Sequence, residues 1–104
     1  MKSIAVYCSS SNKISKTFND EVSKIGKLLA QAKLKIIYGG GDMGLMGKLS
    51  KSATQAGGEV KGIITEHLIN IERKNVSENN VRIVNTMHER KIEMYNSADS
   101  FLIL

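Results

Sequence analysis

Several things this sequence lacks narrow what it can be. Its one cysteine, Cys8, has no partner for an internal disulfide, and no Cys/His spacing of the zinc-holding kind occurs. The longest apolar runs, Ile4 to Cys8 and Phe101 to Leu104, are far shorter than the ~20 residues of a membrane span and too short for a signal-peptide core. Together these absences predict a cytoplasmic protein with no structural metal and no membrane partner. Three Arg and five aromatic residues, none of them interleaved, argue against a nucleic-acid partner despite the net charge of +5. Proline is absent altogether, where ~5% is usual, and the composition offers no reason for it.

What remains is ordinary globular material. The 104 residues are 41% hydrophobic and 24% charged, enough for one domain that buries about 65% of its unfolded surface. Charge is uneven: residues 1–51 hold nine Lys against three acids, whereas residues 52–104 hold six bases against seven acids. A solvated, Lys-rich face explains that bias most simply.

Ile4 to Cys8 is a buried strand stopped by Ser9-Ser10-Ser11-Asn12. Phe18, Val22, Ile25, Leu28, Leu29 and Ala32 then recur at helical spacing, with Thr17 and Asp20 forming a capping box. Leu34 to Tyr38 is a second strand. Leu45, Met46, Leu49, Ala53 and Ala56 mark a second helix, which Gly57-Gly58 closes. Glu59 to Thr65 is a third strand, His67 to Ile71 a helical turn, and Arg73 to Asn80 a polar loop. Val81 to Val84 is a fourth strand, Thr86 and Glu89 cap a helix running to Ser97, and Phe101 to Leu104 is a fifth strand.

This alternation predicts an α/β, Rossmann-like fold: a mainly parallel sheet of about five strands with helices on both faces. Residues 1–104 form a single nucleotide-binding domain in this scheme. Open sheets of this kind bind ligands beyond the carboxyl ends of their strands, which directs attention to the loops after Cys8, Tyr38, Ile64 and Val84. A sheet that stops on an apolar strand without a covering helix is expected to be the amino-terminal part of a longer domain.

Gly39, Gly41 and Gly44 satisfy G-x-G-x-x-G between a strand and a helix. Missing β-carbons let backbone approach a phosphate, and the helix start favours an anion. The same glycines equally serve a tight turn that lets the helix pack on the sheet, and no ribose-binding acid follows about twenty residues later. Ser9, Ser10 and Ser11 can donate to a phosphate, although ordinary loop serines explain them more simply. Cys8 reads as a small buried hydrophobe, Met43 and Met46 as core filling, and His88 as a surface or cap residue.

Arg90 is more telling. It lies three residues after Met87 and four before Met94, on the inward stripe of its helix. It also sits in the first turn, where the helix dipole disfavours a cation. An anion facing it would explain both, because a guanidinium grips phosphate bidentately and stays charged when desolvated. An ion pair with Glu93 or another acid is the competing explanation.

Tyr38-Gly39-Gly40-Gly41-Asp42-Met43-Gly44-Leu45-Met46-Gly47 and Met87-His88-Glu89-Arg90-Lys91, at this separation, resemble the Lonely Guy (LOG) phosphoribohydrolase family. Cys8 to Ser11, Ala56 to Val60 and Ala98 to Leu104 add weaker matches. The resemblance implies hydrolysis of the N-glycosidic bond of a nucleoside 5′-monophosphate, a cytokinin riboside monophosphate or AMP, to free base and ribose 5-phosphate. It implies no metal or redox cofactor, and a homodimer or higher homo-oligomer. Arg90 matches the family's catalytic arginine and Lys91 its substrate-contacting neighbour. Ser9, Ser10, Gly40, Gly41 and Met87 match positions lining the nucleotide pocket, and Glu72 matches a substrate-binding glutamate by its spacing from the third strand. Nothing here suggests the pyridoxal-phosphate lysine that an older label, possible lysine decarboxylase, would require.

One family hallmark is missing from these residues: the Pro-Gly-Gly-x-Gly-Thr-x-x-Glu segment that supplies the main phosphate cradle and a carboxylate partner for the arginine. Thr65 also stands where the family often has proline. The 104 residues alone are therefore expected to be impaired, since losing such a group typically forfeits ~10²–10⁴ in rate. A non-catalytic nucleotide-binding module, a carrier or sensor, is the main alternative. A dinucleotide-dependent oxidoreductase resting on the three glycines and an inert structural remnant are others.

Overall fold

The structure is a computed structural model and describes residues 2–8, 15–41, 44–72 and 81–104. Five strands, β1 (Ser3–Tyr7), β2 (Lys35–Tyr38), β3 (Val60–Thr65), β4 (Val81–Val84) and β5 (Ser100–Ile103), form one sheet in the order β4-β3-β2-β1-β5. Every pairing is parallel. Four helices connect them: α1 (Lys16–Gln31), α2 (Gly44–Gln55), α3 (Glu66–Glu72) and α4 (Met87–Ser97). The α/β, Rossmann-like architecture expected from the sequence is what forms.

Strand alternation divides the core in two. Ile4, Val6, Ile36, Tyr38 and Val60 meet Val22 and Ala30 of α1 and Leu45, Leu49 and Ala53 of α2 on one face. Ala5, Ile37, Ile63 and Val84 meet Met94 of α4 on the other. Both faces are covered, so Ile36 to Tyr38 of β2 and Gly62 to Thr65 of β3 are continuous buried runs instead of alternating ones. Ile36, Ile37, Ile63 and Ile64 are almost completely buried, each worth roughly 1.5–3 kcal/mol of transfer free energy.

The helix ends follow local chemistry. The side chain of Thr86 accepts the Glu89 backbone N–H at 3.1 Å, so the cap expected for α4 forms. At the end of α2, Gly57 adopts φ +81°, and the N–H groups of Gly57 and Gly58 donate to the carbonyls of Thr54 and Ala53. The same six-to-one closure ends α1, with Leu34 donating to Leu29 and Lys33 to Ala30. There, however, the left-handed position is held by Lys33 at φ +61°.

Two expectations about α1 need correction. Thr17 does not cap it: the helix begins at Lys16 with Ser15 as its N-cap, so Thr17 and Asp20 lie inside. Ser15 stands at the N-cap in an extended conformation, and its side chain makes no capping hydrogen bond. Phe18 and Leu28, placed on the inward stripe, are 64% and 62% exposed, and Ala32 is exposed as the C-cap. The buried stripe runs instead through Val22, Gly26 and Ala30, because α2 lies against that line of small residues. The expected third strand starts one residue later, Glu59 staying exposed, and the polar loop over residues 73–80 lies outside the described residues.

Candidate functional site

At the carboxyl ends of β2 and β3 the chain brings together three elements that are distant in sequence. The β2–β3 ladder ends at the pair Tyr38 and Gly62. Immediately beyond, Gly39, Gly40 and Gly41 continue as buried backbone. Gly40 has φ +80°, a conformation side chains disfavour, and its Cα lies only 2.7 Å from where a β-carbon on Gly62 would sit. Glycine in the middle of β3 thus lets the turn after β2 fold down onto the sheet. Gly62 was not singled out from the sequence, although a glycine inside a strand signals such a close approach.

Arg90 enters this turn from α4. The residue is 6% exposed, and α4's buried line runs through Arg90 and Met94 as expected, whereas Met87, expected on the same inward stripe, stays exposed in the first turn. Its Nε donates to the Ile63 carbonyl at 2.8 Å, and its Nη2 donates to the Gly39 carbonyl. Nη1 lies 3.7 Å from the sulfur of Met87, which is 44% exposed at the rim. Glu93, one of the acids weighed as a partner for Arg90, pairs with Arg82 of β4 instead, at 2.9 Å. A β-carbon on Gly39 would collide with Nη2 and approach Met46 Cε to 2.8 Å. Met46, expected to fill the core, therefore also borders the guanidinium.

The other sequence-derived candidates are placed as follows. Gly40 and Gly41 lie in the buried turn, with Arg90 and Met87 beside it. Lys91 follows one position on, about 100° around the helix, and is exposed. Glu72 ends α3, and its side chain lies outside the described residues, as do Ser9, Ser10, Asp42 and Met43. Cys8 is partly buried at the exit of β1, and burial pushes its thiol up to about 11. At neutral pH it is a thiol, a poor nucleophile, packed against the α1/α2 side of the core. Among the described residues no three His, Cys, Asp or Glu side chains gather where they could hold a metal ion, and no helix is long and apolar enough to cross a membrane.

The arrangement combines a buried guanidinium with glycine backbone at the place where open parallel sheets take their ligands. Chemically this suits an oxyanion such as a phosphate, two of whose oxygens a planar guanidinium can meet side by side.

The family described as possible lysine decarboxylase matches residues 46–104. A rice (Oryza sativa subsp. japonica) protein named probable cytokinin riboside 5′-monophosphate phosphoribohydrolase LOGL9 is 37% identical over 101 residues, 97% of this chain and 44% of that protein. An Arabidopsis thaliana protein named cytokinin riboside 5′-monophosphate phosphoribohydrolase LOG5 is 37% identical over 103 residues, 99% of this chain and 45% of that one. The chain thus spans about half the length of the curated relatives it matches. The solved structure of a molybdenum cofactor binding protein from Rippkaea orientalis superposes with a TM-score of 0.78 at 20% identity, covering 98% of this chain and 61% of that one. It attests the shared fold.

Proposed function

The chain belongs to the Lonely Guy (LOG) family, the family described as possible lysine decarboxylase, and from that premise we propose that it acts on nucleoside 5′-monophosphates, hydrolysing the N-glycosidic bond to free base and ribose 5-phosphate. Cytokinin riboside monophosphate and AMP are the substrates in view, because relatives at 37% identity carry the former in their names. One observation carries the reading: Arg90 turns inward to the glycine turn after β2 and away from bulk water, with Glu93 engaged elsewhere.

In this reading residues 1–104 act as one nucleotide-binding domain. Gly40, Gly41, Ser9 and Ser10 contact the phosphate and ribose, Met87 and Lys91 line the entrance, and Glu72 meets the substrate from the end of α3. Arg90 is the catalytic arginine. Cleavage passes through an oxocarbenium-like state, and a cation beside the phosphate orients the sugar while a carboxylate stabilises or activates water. The Pro-Gly-Gly-x-Gly-Thr-x-x-Glu carboxylate is not among these 104 residues, so the chain by itself binds nucleotide and turns it over slowly. No cofactor is required by this chemistry. A homodimer or higher homo-oligomer is part of the reading, and the exposed apolar side chains of Phe101 and Ile103 are surface that a second subunit could cover.

Release of adenine from AMP, or of base from an N6-substituted analogue, tests the proposal directly. Slow but Arg90-dependent release is expected. Failure of AMP to bind at millimolar concentration would remove the reading.

A further inference from the structure

Arg90 gives its Nε and Nη2 donors to the protein's own backbone. Nε and Nη2 reach the carbonyl oxygens of Ile63 and Gly39, residues 24 apart in sequence that directly follow the last β2–β3 pair, Gly62 and Tyr38. Resting on the phosphoribohydrolase reading, we infer that Arg90 is also a positioning residue: its guanidinium takes over where the ladder stops and fixes the course of the Gly39–Gly41 turn.

The chemistry favours arginine for this task. A guanidinium presents its donors in a rigid planar fork, so one side chain can hold two carbonyls at a set separation. A lysine ammonium is a single point on a flexible stem and cannot reproduce that fork. The surroundings fit the role as well. Gly39 has no β-carbon, and one would collide with Nη2. Gly62 leaves the depth that the Gly40 backbone occupies. Met46 and Met87 border the guanidinium, Met87 with its sulfur 3.7 Å from Nη1. The turn and the arginine are therefore fitted to each other before any ligand arrives, and loss of the guanidinium displaces the turn as well as removing a charge.

Amide NMR spectra of the ligand-free chain test this in wild type, R90A, R90K and G39A, each followed by AMP titration. In R90A and R90K the Gly40, Gly41 and Ile64 amide resonances are expected to shift while those of Ser3 and Asp99 at the far end of the sheet stay put. AMP affinity is expected to fall at least tenfold in step with that shift. Millimolar methylguanidinium should return both the resonances and the affinity of R90A. G39A, which keeps the arginine but pushes it aside, should shift the same amides.

Unmoved Gly40 and Gly41 resonances in folded R90A or R90K, with AMP binding weakened, would overturn the inference and leave Arg90 acting on the ligand alone. Should R90A not fold, R90K and G39A decide by the same criterion. If wild type itself ignores AMP, the phosphoribohydrolase reading fails, while the turn resonances still judge the positioning role.

Discussion

The two ends of the sheet each hold one charged side chain against backbone, with opposite signs and different consequences. At the carboxyl end the cation Arg90 donates to carbonyls of Gly39 and Ile63 and is buried. At the amino end the exposed anion Asp99 accepts the backbone N–H groups of Lys2 at 2.9 Å and Ser3 at 3.1 Å, and it also meets the Ser3 hydroxyl. Ser3 reciprocates, its hydroxyl accepting the Asp99 N–H and donating to the Ser97 carbonyl. Asp99 therefore ties the start of β1 to the turn before β5 in a place water reaches. Arg90 does its holding in the interior, where an orphaned carbonyl is expensive. Structure alone accounts for the Asp99 arrangement, whereas Arg90 lies where the proposed nucleotide would bind.

Removing Arg90 should break this contrast most sharply. R90A is expected to lower adenine release by about 10²–10³-fold. Leaving two carbonyls without a donor should also cost about 1–3 kcal/mol for each, measured by urea unfolding. A G62A variant comes next. Its β-carbon would lie 2.7 Å from the Gly40 Cα, a backbone atom that cannot simply swing aside. A loss of about 1–3 kcal/mol is expected, together with weaker AMP binding in calorimetry.

At the amino end the effects should be smaller and silent in the activity assay. The backbone N–H groups of Lys2 and Ser3 hold the Asp99 carboxyl below its ordinary value. A lowered folded-state pKa adds stability above the unfolded value near pH 4, and that stability is lost as pH falls through the folded one. Urea midpoints followed from pH 6 to pH 2 should show that acid-side decline, and D99N should flatten part of it with adenine release unchanged at neutral pH. Smallest of all is K33G. Relieving the φ +61° residue at the end of α1 should raise stability by up to about 1 kcal/mol in the same unfolding assay. A decrease would mean that the closing turn tolerates its lysine without strain.

Much of this plan is legible in the sequence, because the decisive signals are local. Short apolar runs, Gly57-Gly58 and the Thr86–Glu89 pair set strand and helix limits within a residue or so. The inward direction of Arg90 also follows from spacing to Met94, for both are buried. What spacing cannot reveal is which partner waits. Glu93 has the right sequence distance from Arg90, yet it turns to Arg82 on β4. The carbonyls that receive Arg90 belong to ordinary backbone 27 and 51 residues away. Phe18 and Leu28 show the same limit from the other side. An apolar helical position announces its own preference and says nothing of whether α2 extends far enough to cover it. Gly62 was readable as a close approach of backbone, but only the fold tells that the approaching atom is Gly40.

The strand order has one more consequence, for synthesis. β1 lies between β2 and β5, so during synthesis this strand keeps one flank without its β5 partner until residues 100–103 emerge. At roughly 5–20 residues per second, that wait lasts on the order of 5–20 seconds. Throughout it Ile4 and Val6 belong to an open edge, the kind of surface through which unfinished chains pair with one another.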